Sequence, residues 1–160
     1  ALSPCLGQVR DAVGASVRVD LLVRGSVVTI DRVDGSGVGV GLYRDPHGTR
    51  PALTTAAGRL LAARADDERW KLVLADADDD TRSLADRERD TWASAPWLCG
   101  DGPFPGAPVE VAVPVVSAAG MPLAALVADL PAGASMAATE SAVVHLTRAV
   151  GAAVRTLGHG

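Results

Sequence analysis

The stretch VEVAVPVVSAAGMPLAALVAD, residues 109 to 129, decides the fold. Val109, Val111, Val113 and Val115 recur at every second position, Glu110, Ala112 and Val116 take the other face, and Pro114 interrupts one edge of the pairing. Alternation of β-branched residues with period two predicts a strand. Ser117 to Gly120 supply a turn, and Pro122 to Asp129 return as small and aliphatic residues too continuous for a surface strand, so a central hairpin is expected. Its two acids, Glu110 and Asp129, are the unusual feature. An ionised carboxylate on a core strand is costly unless a partner, water or a ligand reaches it.

On the C-terminal side, LPAGASMAATE leaves the hairpin towards a cap at Ser135 or Thr139. A long helix over 137 to 157 carries Val143, Val144, Leu146, Val150, Val154 and Leu157 at helical spacing, a stripe suited to covering the sheet or pairing with a second subunit. On the N-terminal side, PWLCGDGPFPGAP, 96 to 108, reads as a proline- and glycine-rich lid. Before it, DDERWKLVLA and TRSLADRERDTWAS form two helices, 66 to 75 and 81 to 94, around a DADDD turn that lacks the alternation, glycine and distal glutamate of a calcium loop.

LTTAAGRLLAARA predicts a helix with Thr54 or Thr55 as N-cap and Leu60, Leu61 and Ala65 as its buried stripe. Ala56, Ala57 and Gly58 fill its first turn, where small side chains leave backbone N–H groups open to a guest, carboxylates above all. RDPHGTRP, 44 to 51, is expected as loop, and its His47 lacks companions at ligand spacing. VGVGLY, 38 to 43, reads as a strand, and the glycines around it do not form a dinucleotide-binding GxGxxG. VRVDLLV and SVVTIDRV, 17 to 23 and 26 to 33, make a first hairpin behind a short amphipathic helix, 3 to 14.

With 160 residues the chain is expected to form a single domain spanning 1–160. Aromatics are only 3%, so the core and any pocket must be built from Val, Leu and Ala, without stacking platforms. A net charge of −4 argues against this segment wrapping nucleic acid, which needs a basic face. Cys5 and Cys99 lie far apart without CxxC spacing and read as free thiols in a reducing cytoplasm. No apolar run reaches membrane-spanning length, no signal peptide is recognisable, and no metal-ligand or cofactor pattern is present.

The order of elements is that of an α+β antiparallel sheet covered by helices. VRVDLLVRGSVVTIDRVDG, PALTTAAGRLLAA, GAPVEVAVPVVSAAGMPLAALVADLPAG and the closing AVRTLG, in this order, resemble the C-terminal effector-binding domain of IclR-type transcriptional regulators over nearly the whole chain. The resemblance implies a GAF-like fold and a small-molecule effector. It also implies self-association as a dimer or tetramer, and DNA binding only through an N-terminal winged helix-turn-helix that this chain lacks.

Carried over by resemblance, the effector site comprises Ala56, Ala57 and Gly58, Glu110 two positions before the AVPV core, and Val127 and Asp129 where the family often has serines. Asp101 in the lid matches an acidic position, and Leu42 and Leu53 match apolar walls. The expected chemistry has helix-terminus amides holding an anionic or carbonyl group, with Glu110 and Asp129 accepting hydrogen bonds from hydroxyl or amino groups. In the opposite expectation both acids face solvent or pair with Arg44, Arg50 or Arg59, and the region is core. The main alternative function is a GAF-type sensor or interaction module of another signalling protein. Catalysis is not expected, because Cys99, the one candidate nucleophile, has neither a resolving cysteine nor a histidine nearby in sequence.

Overall fold

A computed structural model describes residues 3–35, 49–100 and 105–157. Six antiparallel strands form one sheet: β1 (Ser16–Val23), β2 (Ser26–Val33), β3 (Thr49–Pro51), β4 (Leu98–Gly100), β5 (Val109–Val116) and β6 (Pro122–Leu130), in the order β3-β2-β1-β6-β5-β4. The two hairpins expected from alternation are both present, and β1 joins them by pairing with β6, Val17 opposite Ala128 and Val19 opposite Leu126. Two segments expected as loop and lid instead contribute short edge strands. Thr49 to Pro51 pairs with Ser26 to Val28, and Leu98 to Gly100 pairs with Glu110 to Ala112. Three-residue strands are too short to show a period, so their sequence carried no signal.

The sheet separates two helical layers. Helices α1 (Ser3–Val13) and α5 (Met136–Leu157) cover one face, where Leu6, Val17, Val19, Val111, Val113, Leu126, Ala128 and Leu146 form the principal core. Helix α2 (Ala56–Arg64) lies on the other face, packing Ala57, Leu60 and Leu61 against Ala112, Ala125 and Val127. Outside it, α3 (Asp67–Ala75) and α4 (Asp79–Ser94) close a smaller core around Trp70, Val73, Ala85 and Trp92. Arg59 stacks over Trp92 and Arg89 over Trp70, fastening these three helices together.

Caps define where α2, α3 and α4 begin. Thr55, Asp66 and Asp78 each accept a backbone N–H three residues on, so the DADDD segment starts a helix, with Asp79 and Asp80 in its first turn favouring the positive end of the helix dipole. The tight β1–β2 connection places Arg24 at φ 56°, a left-handed conformation unusual for a residue with a side chain.

Candidate functional site

The α2-facing side of the sheet carries an ionic cluster in a layer where apolar residues are the rule. Period two along each strand puts Arg18 and Asp20 of β1 on this side while Val17 and Val19 face α1 and α5. On the neighbouring hairpin Glu110 and Asp129 are direct cross-strand partners, and the next inward pair is Ala112 and Val127.

Arg18, 3% exposed, is the centre. Its Nε lies 3.1 Å from Asp20 Oδ2, its Nη2 3.1 Å from Glu110 Oε1, and its Nη1 2.5 Å from Asp129 Oδ1. Asp20 Oδ1 accepts a further hydrogen bond from Thr29 Oγ1 at 2.7 Å. Arg50 also donates to Glu110 Oε1, and Arg32 pairs with Asp34 at 2.8 Å while its Nη2 stands 4.0 Å from Asp129 Oδ2. Burial works against the charge of Arg18, but the carboxylates of Asp129, Asp20 and Glu110 outweigh it and hold the guanidinium above its ordinary value. Two acceptors are left over: Glu110 Oε2 and Asp129 Oδ2 are buried without a hydrogen-bond partner.

The Arg50–Glu110 pair also reports the shape of the sheet. Arg50 is on β3 and Glu110 on β5, four places apart in the strand order. At roughly 4.8 Å per strand a flat sheet would separate them by about 19 Å, beyond the reach of an arginine side chain. The sheet therefore curls around this face, and the cluster lies in its concavity.

Among the residues singled out in the sequence, Glu110, Val127 and Asp129 share this concave side, and Ala56 and Ala57 pack in one cluster with Val127. Gly100, the cross-strand partner of Glu110, brings α2 close: a Cβ built on it would lie 3.7 Å from the Ala56 nitrogen. Gly58 has a structural reason of its own. A Cβ there would sit 2.0 Å from the Ala52 carbonyl oxygen, and its N–H already donates to Thr55 Oγ1 at 2.8 Å, so that donor is closed to a guest. Leu53 packs in the smaller core with Val27, Trp70 and Val73, and lines a cleft of about 140 Å³ beside Thr54, Asp76 and Thr81. Leu42 and Asp101 lie outside the described residues, as do Arg44, His47 and the strand expected over 38 to 43.

Of the arginines considered as partners for the acids, Arg50 does pair with Glu110, whereas Arg59 lies over Trp92 and donates to the Leu53 carbonyl. Sequence reasoning missed Arg18. The signal was present in VRVD, where Arg18 and Asp20 must share the face opposite the valines. Among the described residues no group of histidine, cysteine or carboxylate side chains could hold a metal ion, and no helix is long and apolar enough to cross a membrane.

No protein-family model matches the sequence, and neither does any curated protein. Solved structures do. Over 98% of the chain the fold superposes on the IclR of Thermotoga maritima, with a TM-score of 0.82, 18% identity and 67% of that chain covered. An IclR homolog from Microbacterium hydrocarbonoxydans, complexed with 4-hydroxybenzoate, matches 94% of the chain with a TM-score of 0.73 and 22% identity, covering 66% of its own length. The C-terminal domain of a transcriptional regulator assigned in Vibrio cholerae matches 94% of the chain at a TM-score of 0.72 and 13% identity, and there 93% of the other chain is covered. The chain thus spans about two thirds of the longer regulators and nearly all of an isolated domain. Its fold, an α+β domain with a curled six-stranded antiparallel sheet, is that of the C-terminal domain of IclR-family transcriptional regulators.

Proposed function

We propose that this chain is the effector-binding domain of an IclR-type transcriptional regulator, and that a small molecule binds on the concave face between the first turn of α2 and strands β5 and β6. The observation that carries the reading is the pair of inward carboxylates, Glu110 and Asp129, each with a buried oxygen lacking a hydrogen-bond partner, beside the small residues Ala56, Ala57 and Val127. A core that only had to pack would gain by replacing such groups with apolar ones of similar volume. Retaining them is consistent with a ligand that completes their hydrogen bonds. The Microbacterium relative, with 4-hydroxybenzoate bound, supports the fold as a host for small molecules.

In this reading the domain self-associates as a dimer or tetramer, and DNA binding belongs to a winged helix-turn-helix encoded upstream. Ligand controls that element through its differential affinity for two subunit arrangements. No catalytic step is assigned. A thermal-shift screen of amines, polyols and small carboxylic acids tests the proposal, since a ligand of the folded form alone raises the melting temperature. At least one class must stabilise the wild type and lose its effect in Val127→Phe. If no compound does, the sensor assignment fails. If the gene upstream of Ala1 encodes no winged helix-turn-helix, the assignment to a DNA-binding regulator fails while ligand sensing stands.

A further inference from the structure

We propose that the ligand of this site is cationic: a short aliphatic molecule bearing two ammonium or amidinium groups, received by Glu110 Oε2 and Asp129 Oδ2. This inference rests on the sensor reading above and names the chemistry of its ligand.

Three observations converge on it. The unsatisfied atoms of the cluster are both carboxylate oxygens, which accept hydrogen bonds and cannot donate them when ionised. The cation at the centre is already committed, because each of the three nitrogens of Arg18 engages a different carboxylate. A ligand carboxylate arriving here finds Arg18 occupied and the N–H of Gly58 taken by its own cap. The local electrostatics point the same way: both open oxygens belong to cross-strand neighbouring carboxylates, beside which a cation is favoured and an anion repelled.

The geometry at Glu110 adds direction. A guanidinium free to choose covers both oxygens of a carboxylate, yet Arg18 Nη2 and Arg50 Nη1 both converge on Oε1. The second oxygen is left for a donor from elsewhere. Because Glu110 and Asp129 are direct cross-strand partners, their Cβ atoms stand about 5 Å apart, a span matched by a chain of a few carbons. The buried neighbours Ala57, Ala112 and Val127 are small aliphatic residues and offer no ring to stack on. Arg50, 23% exposed, marks the side from which a competing cation reaches Glu110.

Isothermal titration calorimetry with three probes of equal chain length, butane-1,4-diamine, butane-1,4-diol and succinate, tests the inference on the wild type, Glu110→Gln, Asp129→Asn and Val127→Phe. The diamine is expected to bind the wild type most tightly, each isosteric substitution to weaken it by about tenfold or more, and Val127→Phe to abolish it. Preference for succinate or the diol, lost in Val127→Phe, overturns the cationic ligand and leaves the sensor reading standing. Diamine binding unchanged in Val127→Phe puts the ligand elsewhere and overturns both. No binding of any probe tighter than about 10 mM overturns the cationic ligand. Since Glu110→Gln and Asp129→Asn disturb a buried network, the side-chain carboxyl ¹³C signals of both acids are followed in the wild type as well. They must shift with the diamine, and fixed signals overturn the inference whatever the variants do.

Discussion

Replacing Arg18 by methionine removes the one cation that touches three buried carboxylates, at 3.1, 3.1 and 2.5 Å, while roughly preserving side-chain volume. At an effective dielectric near 20, each such contact is worth roughly 4 kcal/mol of attraction at 4 Å. Most of that is cancelled by the several kcal/mol needed to desolvate each ion. The intact cluster is therefore close to neutral for stability, but the broken one is not. Removing one partner of a buried pair costs about 3–5 kcal/mol, and here a single substitution strands Asp20, Glu110 and Asp129 together. We expect Arg18→Met to lose about 5 kcal/mol, a third or more of the 5–15 kcal/mol typical of a folded domain. Urea unfolding followed by tryptophan fluorescence reads this as a midpoint lowered by about 2 M at unchanged slope. Adding Glu110→Gln and Asp129→Asn to Arg18→Met is expected to recover part of the loss, because two of the three stranded charges are then gone. A loss below about 1 kcal/mol for Arg18→Met alone would refute the view that this arginine neutralises the buried acids.

Three further outcomes follow from local geometry. Gly58→Ala drives a methyl to 2.0 Å from the Ala52 carbonyl and is expected to cost about 3 kcal/mol or to prevent folding, measured by chemical denaturation. Arg24→Gly relieves a left-handed backbone at φ 56° and is expected to raise stability by about 1 kcal/mol in the same assay. At the start of α4, the hydrogen bond that the Thr81 backbone N–H donates to Asp78 Oδ1, together with one from the Thr81 side chain, holds the Asp78 carboxyl below its usual range. A depressed carboxyl stabilises the fold above the unfolded value and loses that contribution as pH falls through the folded one. Asp78→Ala is therefore expected to melt earlier than wild type at neutral pH, with the gap closing below about pH 4.

The elements with a clear period were legible in the sequence. The valines of 109 to 116 and 17 to 23 gave two hairpins, and the Thr55 cap with Leu60 and Leu61 gave α2. The edge strands were not legible, because Thr49–Pro51 and Leu98–Gly100 owe their conformation to pairing with β2 and β5 and not to their own side chains. Glu110 and Asp129 could be recognised as anomalous from pattern alone. Their partners could not, since Arg18 and Arg50 reach them only through a β1–β6 pairing and a sheet curl that join distant parts of the chain. Gly58 shows the reverse case. Its lack of a side chain suggests space for a guest, and the structure supplies a packing reason in the turn that follows β3.

Everything functional depends on whether a guest molecule enters between α2 and the inward side of β5 and β6. Methyl-resolved NMR of the wild type during titration with butane-1,4-diamine tests this most directly. The account predicts shifts concentrated at Ala56, Ala57, Ala112 and Val127, with Val113 and Leu146 on the opposite face unmoved. Shifts confined to the α1–α5 side would contradict it, and none at saturating diamine would contradict the cationic ligand.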